Sequence, residues 1–194
     1  MDVAPDTLYP VAEWNVTEDA LDFERVAGDE AVFAVGNGYM GIRGTFEEKG
    51  VVYADGTFVN GFYETEPIVY GEHAYGYAEN RQRMIALPDA SVIELSVNDE
   101  PLDLTNGKVR AYQRMLRMKT GLLERTVRWE GSDGTTVDLR VRRLVSFRRP
   151  HVMAIEWRCT VHRPARLRIV SVIRGKGSSR TATNDPRVGG ALAR

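Results

Sequence analysis

The sequence predicts an all-β fold, and two patterns together indicate an antiparallel β-sandwich. From Met153 to Val161 apolar residues occupy the odd positions and mostly polar residues the even ones. This alternation gives a strand one apolar face, because successive side chains point to opposite sides. Turn-forming residues punctuate the chain, as at 131–134, and no window carries a long apolar stripe at helical spacing. Short alternating segments separated by turns are typical of a sandwich or meander rather than of βαβ units.

The segments on either side of this strand continue the same pattern. Apolar residues keep the odd-numbered face from Val137 to Phe147, interrupted by Arg143. Another strand is predicted from Leu167 to Ile173, beyond a turn at Arg163–Pro164. The second half of the chain therefore reads as consecutive strands with one apolar face each.

The first half carries weaker signals of the same kind. The run 93–97 has strand composition and ends at the turn pair Asn98–Asp99. One short helix is expected, from Glu18 to Val26.

The alternation fades after Ile173. Residues 174–180 have the composition of a loop. We therefore predict a β-sandwich domain over residues 1–175, with residues 176–194 forming a loop or incomplete end. An open sheet at this point leaves backbone groups of its edge strand to be covered by another element.

Composition excludes several classes of function. The 194 residues include 43% hydrophobic and 27% charged side chains, with 26 basic and 27 acidic groups. This balance gives no reason to expect nucleic acid or an anionic membrane as partner, and no stretch approaches the ~20 apolar residues of a spanning helix. Cys159 is the single cysteine and no secretory signal precedes it. We expect a cytoplasmic protein without disulfides.

Gly36, Gly38 and Gly41 formally match the dinucleotide-binding fingerprint GxGxxG. The fingerprint requires a helix to open at the third glycine, with its amino end toward the pyrophosphate. Residues 42–46 instead include another glycine and a β-branched residue. The segment is therefore interpreted as a tight turn with positive φ, followed by glycines that allow close packing or a bulge. No cofactor-binding residue is predicted.

The other candidate groups also favour structural roles. Glu47 and Glu48 are adjacent, so in a strand they would face opposite ways, and we predict that they lie on the surface or at a contact between lobes. Residues 175–180 (GKGSSR) have a phosphate-binding composition without the spacing of a P-loop, which favours a surface loop. Residues 62–77 are rich in aromatics and glycine; they fit a segment that fills a gap between lobes better than one that stacks on sugars.

Metal and nucleophile sites are not predicted. His73, His151 and His162 lack metal-ligand spacing and have no cysteine pair nearby. Cys159 falls on the apolar face of its strand and is expected to be a core residue rather than a nucleophile.

Five segments resemble signatures of glycoside hydrolase family 65, which contains maltose, trehalose and kojibiose phosphorylases. In chain order they are EAVFAVGNGYMGIRGTFEE at 30–48, ADGTFVNGFYE at 54–64, YQRMLRMKTGLL at 112–123, RRLVSF at 142–147 and NDPRVG at 184–189. Asn60–Gly61, within the second segment, is also expected to form a turn. The matches follow the order of the family and span nearly the whole chain. Together these segments are typical of the family, but they do not indicate which disaccharide a member cleaves.

The resemblance implies an N-terminal domain with the galactose mutarotase-like supersandwich fold, cut off before a helical catalytic domain of the same polypeptide. It implies that the whole protein cleaves an α-glucosidic disaccharide by inverting phosphorolysis or by hydrolysis, with inorganic phosphate as co-substrate of the phosphorolysis and no cofactor. It also implies a possible homodimer. The catalytic residues would lie in the helical domain, so no catalytic residue is carried over here and the chain alone is expected to be inactive. It should expose an apolar or aromatic face that the helical domain covers.

Two alternatives remain open at this stage. The chain could be a stand-alone carbohydrate-binding β-sandwich. It could also be a mutarotase-like sugar epimerase that uses His151 or another histidine with a carboxylate.

Overall fold

The computed structural model describes residues 8–48, 56–72, 74–105 and 107–174. Within these ranges the chain forms strands joined by turns, with a single short α-helix, α1 at Val26–Val32, and a 3-10 turn at Phe23–Arg25. The strands are β1 Asn15–Glu18, β2 Val35–Gly36, β3 Met40–Ile42, β4 Thr57–Pro67, β5 Asn80–Leu87, β6 Asp89–Val97, β7 Glu100–Pro101, β8 Lys108–Arg117, β9 Leu122–Glu130, β10 Thr136–Val145, β11 Met153–Val161 and β12 Leu167–Arg174.

These strands build three antiparallel sheets. The largest has five strands in the order β1-β8-β9-β10-β11, a second has three in the order β12-β6-β7, and a third has four in the order β2-β3-β4-β5. β8 to β11 follow one another in both sequence and space, as in a meander. The predicted all-β class and antiparallel sandwich architecture are confirmed.

The main core lies between the five-stranded and the three-stranded sheets. Trp129 and Leu139, on β9 and β10, face Leu95 and Val97 of β6, and each of these side chains is at most 2% exposed. The alternation of the sequence explains this arrangement, because one face of each strand carries the apolar residues. A second, smaller cluster is built around Phe33, Val35 and Ile42 with Leu123 and Val145.

The predicted strands and turns of the second half are confirmed, except that β10 ends at Val145 and Phe147 is 75% exposed instead of continuing the apolar face. β11 spans Met153–Val161, and Val141 on β10 is paired with Trp157 as the shared odd-numbered face requires. Between β6 and β7, Asn98 and Asp99 have φ values of 50° and 68°, which is the geometry of a two-residue hairpin turn. Arg163–Pro164 lies in the connection between β11 and β12.

The predicted helix over Glu18–Val26 is wrong. Glu18 ends strand β1, and the helix begins at Val26. Asp22 terminates the extended segment: its carboxylate accepts a hydrogen bond from the backbone N–H of Glu24 at 2.9 Å. This N-cap favours helical geometry after residue 22 rather than before it.

Several predictions lie outside the described residues, namely the loop at 175–180, the chain end at 176–194 and the role of His73. Throughout the part of the chain that the structure does describe, no helix is long and apolar enough to cross a membrane.

Candidate functional site

Three arginines are buried on the inner face of the five-stranded sheet. Arg114 on β8 is paired directly with Arg125 on β9, and Arg143 on β10 lies diagonally across from Arg125. Their side chains are at most 4% exposed. Like charges directly opposite each other destabilise a sheet, so these positions depend on acidic partners. We call these residues, with Glu18, Glu47 and Glu48, the buried arginine cluster.

Glu47 and Glu48 supply most of that compensation. Arg125 Nη2 lies 2.7 Å from Glu47 Oε2 and 2.7 Å from Glu48 Oε2, and Arg143 also donates to Glu47. Both glutamates are at most 3% exposed. The prediction that they lie on the surface or at a lobe contact is therefore wrong.

The reason is the local backbone. Residues 43–48 are neither helix nor strand, so the rule that adjacent side chains face opposite ways does not apply, and both carboxylates reach one guanidinium. The arginines also bind the backbone of this segment. Arg143 donates to the carbonyl oxygens of Arg43 and Thr45 at 3.0 and 2.8 Å, and Arg114 donates to that of Gly44 at 2.8 Å.

Glu18 completes the cluster at the other end. Its Oε2 accepts hydrogen bonds from Arg114 Nε and from the hydroxyl of Tyr112, both at 2.7 Å. Burial raises the pKa of Glu18 despite the nearby charge of Arg114. For Glu47, burial alone would raise the pKa, but the charges of Arg143 and Arg125 outweigh it and hold the pKa below its ordinary value.

Aromatic rings pack against the same arginines. The guanidinium of Arg114 lies over the rings of Phe33 and Phe46, at 4.2 and 5.0 Å from the centroids, and that of Arg125 lies 5.0 Å from Phe46. Cation–π contacts of this kind stabilise a desolvated guanidinium. The cluster is thus enclosed between apolar rings and the sheet.

This arrangement has no room for sugar chemistry. The cavity beside Arg125 and Arg143 has a volume of about 10 Å³, whereas a ligand pocket usually measures several hundred Å³. A general acid also needs a raised pKa and access to substrate. Glu47 has a lowered pKa, and Glu18, with a raised one, is 4% exposed. The cluster therefore holds the fold together.

The glycine-rich segment forms a hairpin. Gly36 on β2 is paired with Gly41 on β3, and Gly38 has a φ of 87°. Asn37 Oδ1 accepts hydrogen bonds from the backbone N–H groups of Tyr39 and Met40 at 2.9 and 2.8 Å. A strand, not a helix, follows Gly38, so the nucleotide-binding interpretation is excluded and the predicted tight turn is confirmed.

The predicted turn at Asn60–Gly61 is replaced by a bulge. Both residues lie inside β4, where the pairing with β5 shifts between Phe58 and Tyr63. Between these pairs β4 has four residues, 59–62, where β5 has one, and Gly61 adopts a φ of 91°, a conformation that glycine reaches without steric cost.

The remaining single candidates take structural positions. His151 packs edge-on against Tyr39 with 4.3 Å between ring centroids. His162 Nε2 lies 2.8 Å from Asp138 Oδ2, and both residues are exposed to solvent. The hydrogen bond from Arg128, with that from His162, lowers the pKa of Asp138 to about 2.

Cys159 packs against the main core, and burial raises the pKa of its thiol. Among the residues with a described position, no cluster of metal-ligating side chains occurs.

The long hairpin of β4 and β5 exposes several apolar and aromatic side chains. Tyr63 is paired with Met84 on one side of the hairpin, and they are 44% and 37% exposed. At the tip Tyr75 is fully exposed and Tyr77 is 51% exposed. We call Tyr63, Met84, Tyr75 and Tyr77 the aromatic hairpin.

The fold and the buried arginine cluster together define an antiparallel β-sandwich domain. Comparison with known proteins identifies it further. The profile of the glycosyl hydrolase family 65 N-terminal domain matches residues 16–194, and the chain belongs to this family.

Individual relatives agree. The chain is 38% identical to the α,α-trehalose phosphorylase of Thermoanaerobacter brockii over 95% of its own length and 24% of that protein. It is 30% identical to the kojibiose phosphorylase of Halothermothrix orenii over 72% of its length and 16% of that protein. A solved structure from the human microbiome, assigned as a kojibiose phosphorylase, superimposes with a TM-score of 0.69 at 24% identity, covering 80% of this chain and 21% of the other. The chain therefore spans about a quarter or less of these proteins.

Sequence reasoning missed the arginine cluster, although a signal was present. Arg125 and Arg143 occupy inward positions in strands whose other inward residues are apolar. A charged residue at such a position requires a buried partner, and the adjacent acidic residues Glu47 and Glu48 supply one.

Replacing Arg125 by methionine is expected to lower the free energy of unfolding by about 3–5 kcal/mol, because Glu47 and Glu48 would keep their charges without this partner. Arg128→Met on the same strand is the matched control, since Arg128 is 51% exposed in its pair with Asp138 and such pairs contribute roughly 0–1 kcal/mol. Urea denaturation measures both. Equal losses in the two variants would contradict a structural role for the cluster.

The lowered pKa of Glu47 predicts a specific pH dependence. A carboxyl group whose pKa is lower in the folded than in the unfolded protein contributes stability above its ordinary value, 4.5, and loses that contribution as the pH falls through the folded-state pKa. Glu47→Gln should be less stable than the parent at pH 7, and the difference should shrink under acid. Denaturation between pH 7 and 2 tests this, with Glu72→Gln as the exposed control. A difference that stays constant with pH would count against it.

Proposed function

We propose that this chain forms the β-sandwich part of an enzyme that cleaves an α-glucosidic disaccharide by inverting phosphorolysis, and that it supports a helical catalytic domain in the same polypeptide. Membership of the family 65 N-terminal domain over residues 16–194 carries the proposal. The curated relatives include phosphorylases of trehalose, kojibiose and maltose. The single cysteine fits action in the reducing cytoplasm.

In this scheme the chemistry belongs to the catalytic domain. A glutamic acid there protonates the leaving glycosidic oxygen while inorganic phosphate attacks the anomeric carbon from the opposite face. The chain described here contributes a rigid body. Its buried carboxylates are bound to Arg114, Arg125 and Arg143 and are closed to substrate.

The aromatic hairpin is the surface we assign to contact with the helical domain. Its two sides differ in chemistry. On one side Glu64 and Glu66 form ion pairs with Arg83 and Arg81, with atoms 3.0 and 2.8 Å apart, so that this side is neutral and suited to water. The other side carries Tyr63 and Met84, and aromatic residues and methionine are enriched at protein interfaces.

The full-length protein should release glucose 1-phosphate from α,α-trehalose, the substrate of the relative with 38% identity, only when inorganic phosphate is present. Proton NMR would show the β-anomer if the reaction inverts. Maltose and kojibiose are the comparison substrates. Release of free glucose without phosphate would instead indicate hydrolysis, and turnover by residues 1–194 alone would contradict a supporting role. If the optical rotation of α-glucose changes no faster with the isolated chain than in buffer alone, the mutarotase alternative is removed.

Tyr63→Asp in the full-length protein should loosen the contact between the domains, because it places a charge in an apolar interface. We expect the rate of proteolysis between the domains to rise several-fold. Glu64→Gln is the matched control: it removes a solvent-exposed ion pair on the opposite side of the hairpin and should leave that rate unchanged. If both variants match the parent, the hairpin does not contact the catalytic domain.

A further inference from the structure

The outer face of the five-stranded sheet, opposite the main core, carries polar side chains in rows that cross β9, β10 and β11. In one row Thr126 and Arg158 lie on either side of Arg140, each paired directly with it. On these three strands the row therefore contains two positive charges and no carboxylate. Like charges directly opposite each other destabilise a sheet, and departures from such local rules are typical of functional sites.

The glutamates of the neighbouring row do not neutralise this pair of arginines. Four arginines share two glutamates there, namely Arg117 and Arg140 with Glu124, and Arg142 and Arg158 with Glu156. Arg140 Nη2 lies 3.4 Å from Glu124 Oε1, and Arg158 Nη2 lies 2.9 Å from Glu156 Oε1. Because each glutamate also holds a second arginine, an excess of two positive charges remains on this part of the face.

A recess of about 470 Å³ opens beside these arginines, and we call it the outer recess. Its lining includes three short side chains and three arginines, namely Ala111, Thr126, Thr160, Arg128, Arg140 and Arg158. The volume lies in the range of several hundred Å³ that ligand sites usually have. The side chains of Arg140 and Arg158 are 50% and 65% exposed, so a solute can reach both guanidinium groups.

Asp138 also lines the outer recess and narrows the choice of ligand. Its carboxylate oxygens accept hydrogen bonds from Arg128 at 2.6 and 2.8 Å, so these two charges cancel and the excess at Arg140 and Arg158 is kept. A carboxylate accepts several hydrogen bonds but donates none when ionised. The ligand that fits therefore carries a dianion for the arginines and hydroxyl groups that donate to Asp138.

We propose that the outer recess binds a sugar phosphate, with the phosphate group on Arg140 and Arg158 and sugar hydroxyl groups on Asp138 and Thr126. The planar guanidinium fork matches the oxygen atoms of a phosphate group, and two such forks balance its two charges. A free sugar lacks the dianion, and sulfate lacks the hydroxyl groups. Glucose 1-phosphate is the probe because the proposed function releases it, and in this choice of probe the inference rests on that function.

Modification of arginines in the full-length protein by phenylglyoxal, measured for each residue by mass spectrometry, tests the proposal. Arg140 and Arg158 should react in the absence of ligand. Saturating glucose 1-phosphate should slow their modification by at least about threefold, because only the unoccupied site reacts. Arg166, which is 75% exposed and lies outside the recess, is the internal control and should react at an unchanged rate.

Three further solutes define the ligand class in the same experiment. Glucose should give no protection, and inorganic phosphate and sulfate should protect less than glucose 1-phosphate at equal concentration. Equal protection by sulfate or by inorganic phosphate would overturn the proposal, since it would mark a surface that attracts any dianion. Absence of protection by glucose 1-phosphate would overturn it too, as would arginines at positions 140 and 158 that fail to react without ligand.

A matched pair of variants locates the effect. Arg158→Gln should abolish the protection of Arg140 by glucose 1-phosphate. Arg110→Gln should leave it unchanged, because Arg110 is 50% exposed on the same face and is paired with Glu130 outside the recess. Protection of Arg140 that survives in Arg158→Gln would overturn the proposal, and circular dichroism checks that both variants keep the fold.

The result is separable from that of the disaccharide assay. Protection of Arg140 and Arg158 in a protein that cleaves no disaccharide would support this inference and refute the proposed function. An active phosphorylase without this protection would refute the inference and leave the proposed function standing.

Discussion

The rest of this structure depends on how three buried arginines are neutralised. Arg114, Arg125 and Arg143 repel one another on a single face of the sheet, and moving them out of water costs several kcal/mol each. The segment 43–48 offsets this with two carboxylates and three backbone carbonyl groups. Guanidinium groups donate hydrogen bonds in fixed directions. Few conformations of the segment 43–48 therefore place its carboxylate and carbonyl oxygens where the three arginines can donate to them.

That segment also joins the three sheets. It follows β3 of the four-stranded sheet, its side chains bind the five-stranded sheet, and the carbonyl oxygen of Glu47 accepts a hydrogen bond from the N–H of Ile93 in the three-stranded sheet at 3.0 Å. A side chain at position 44 would be obstructed, since its Cβ would lie 2.6 Å from Cβ of Phe33. The segment 43–48 therefore contacts all three sheets through side-chain and backbone hydrogen bonds.

The sequence predicted the strands and turns that depend on a local pattern of residues. It did not predict the buried ion pairs, because these depend on residues that are distant in the chain. Alternation located β11, and the Asn98–Asp99 pair located a hairpin turn, because each signal lies within a few residues. The error at Glu47–Glu48 arose because their burial is decided by Arg125 and Arg143, which lie 78 and 96 residues away from Glu47. The helix begins later than the sequence predicted because residues 15–18 pair with β8 as a strand and Asp22 caps the turn that follows.

The exposed apolar side chains of the aromatic hairpin differ from those of an unpaired strand edge in what a partner would have to supply. On this hairpin β4 and β5 are already paired with each other, so their facing backbone groups have partners. A partner on this surface would therefore need to match side chains rather than backbone groups, as the surface of a helix can. On the opposite side Glu64 and Glu66 are already neutralised by Arg83 and Arg81, so the two sides of the hairpin offer different chemistry.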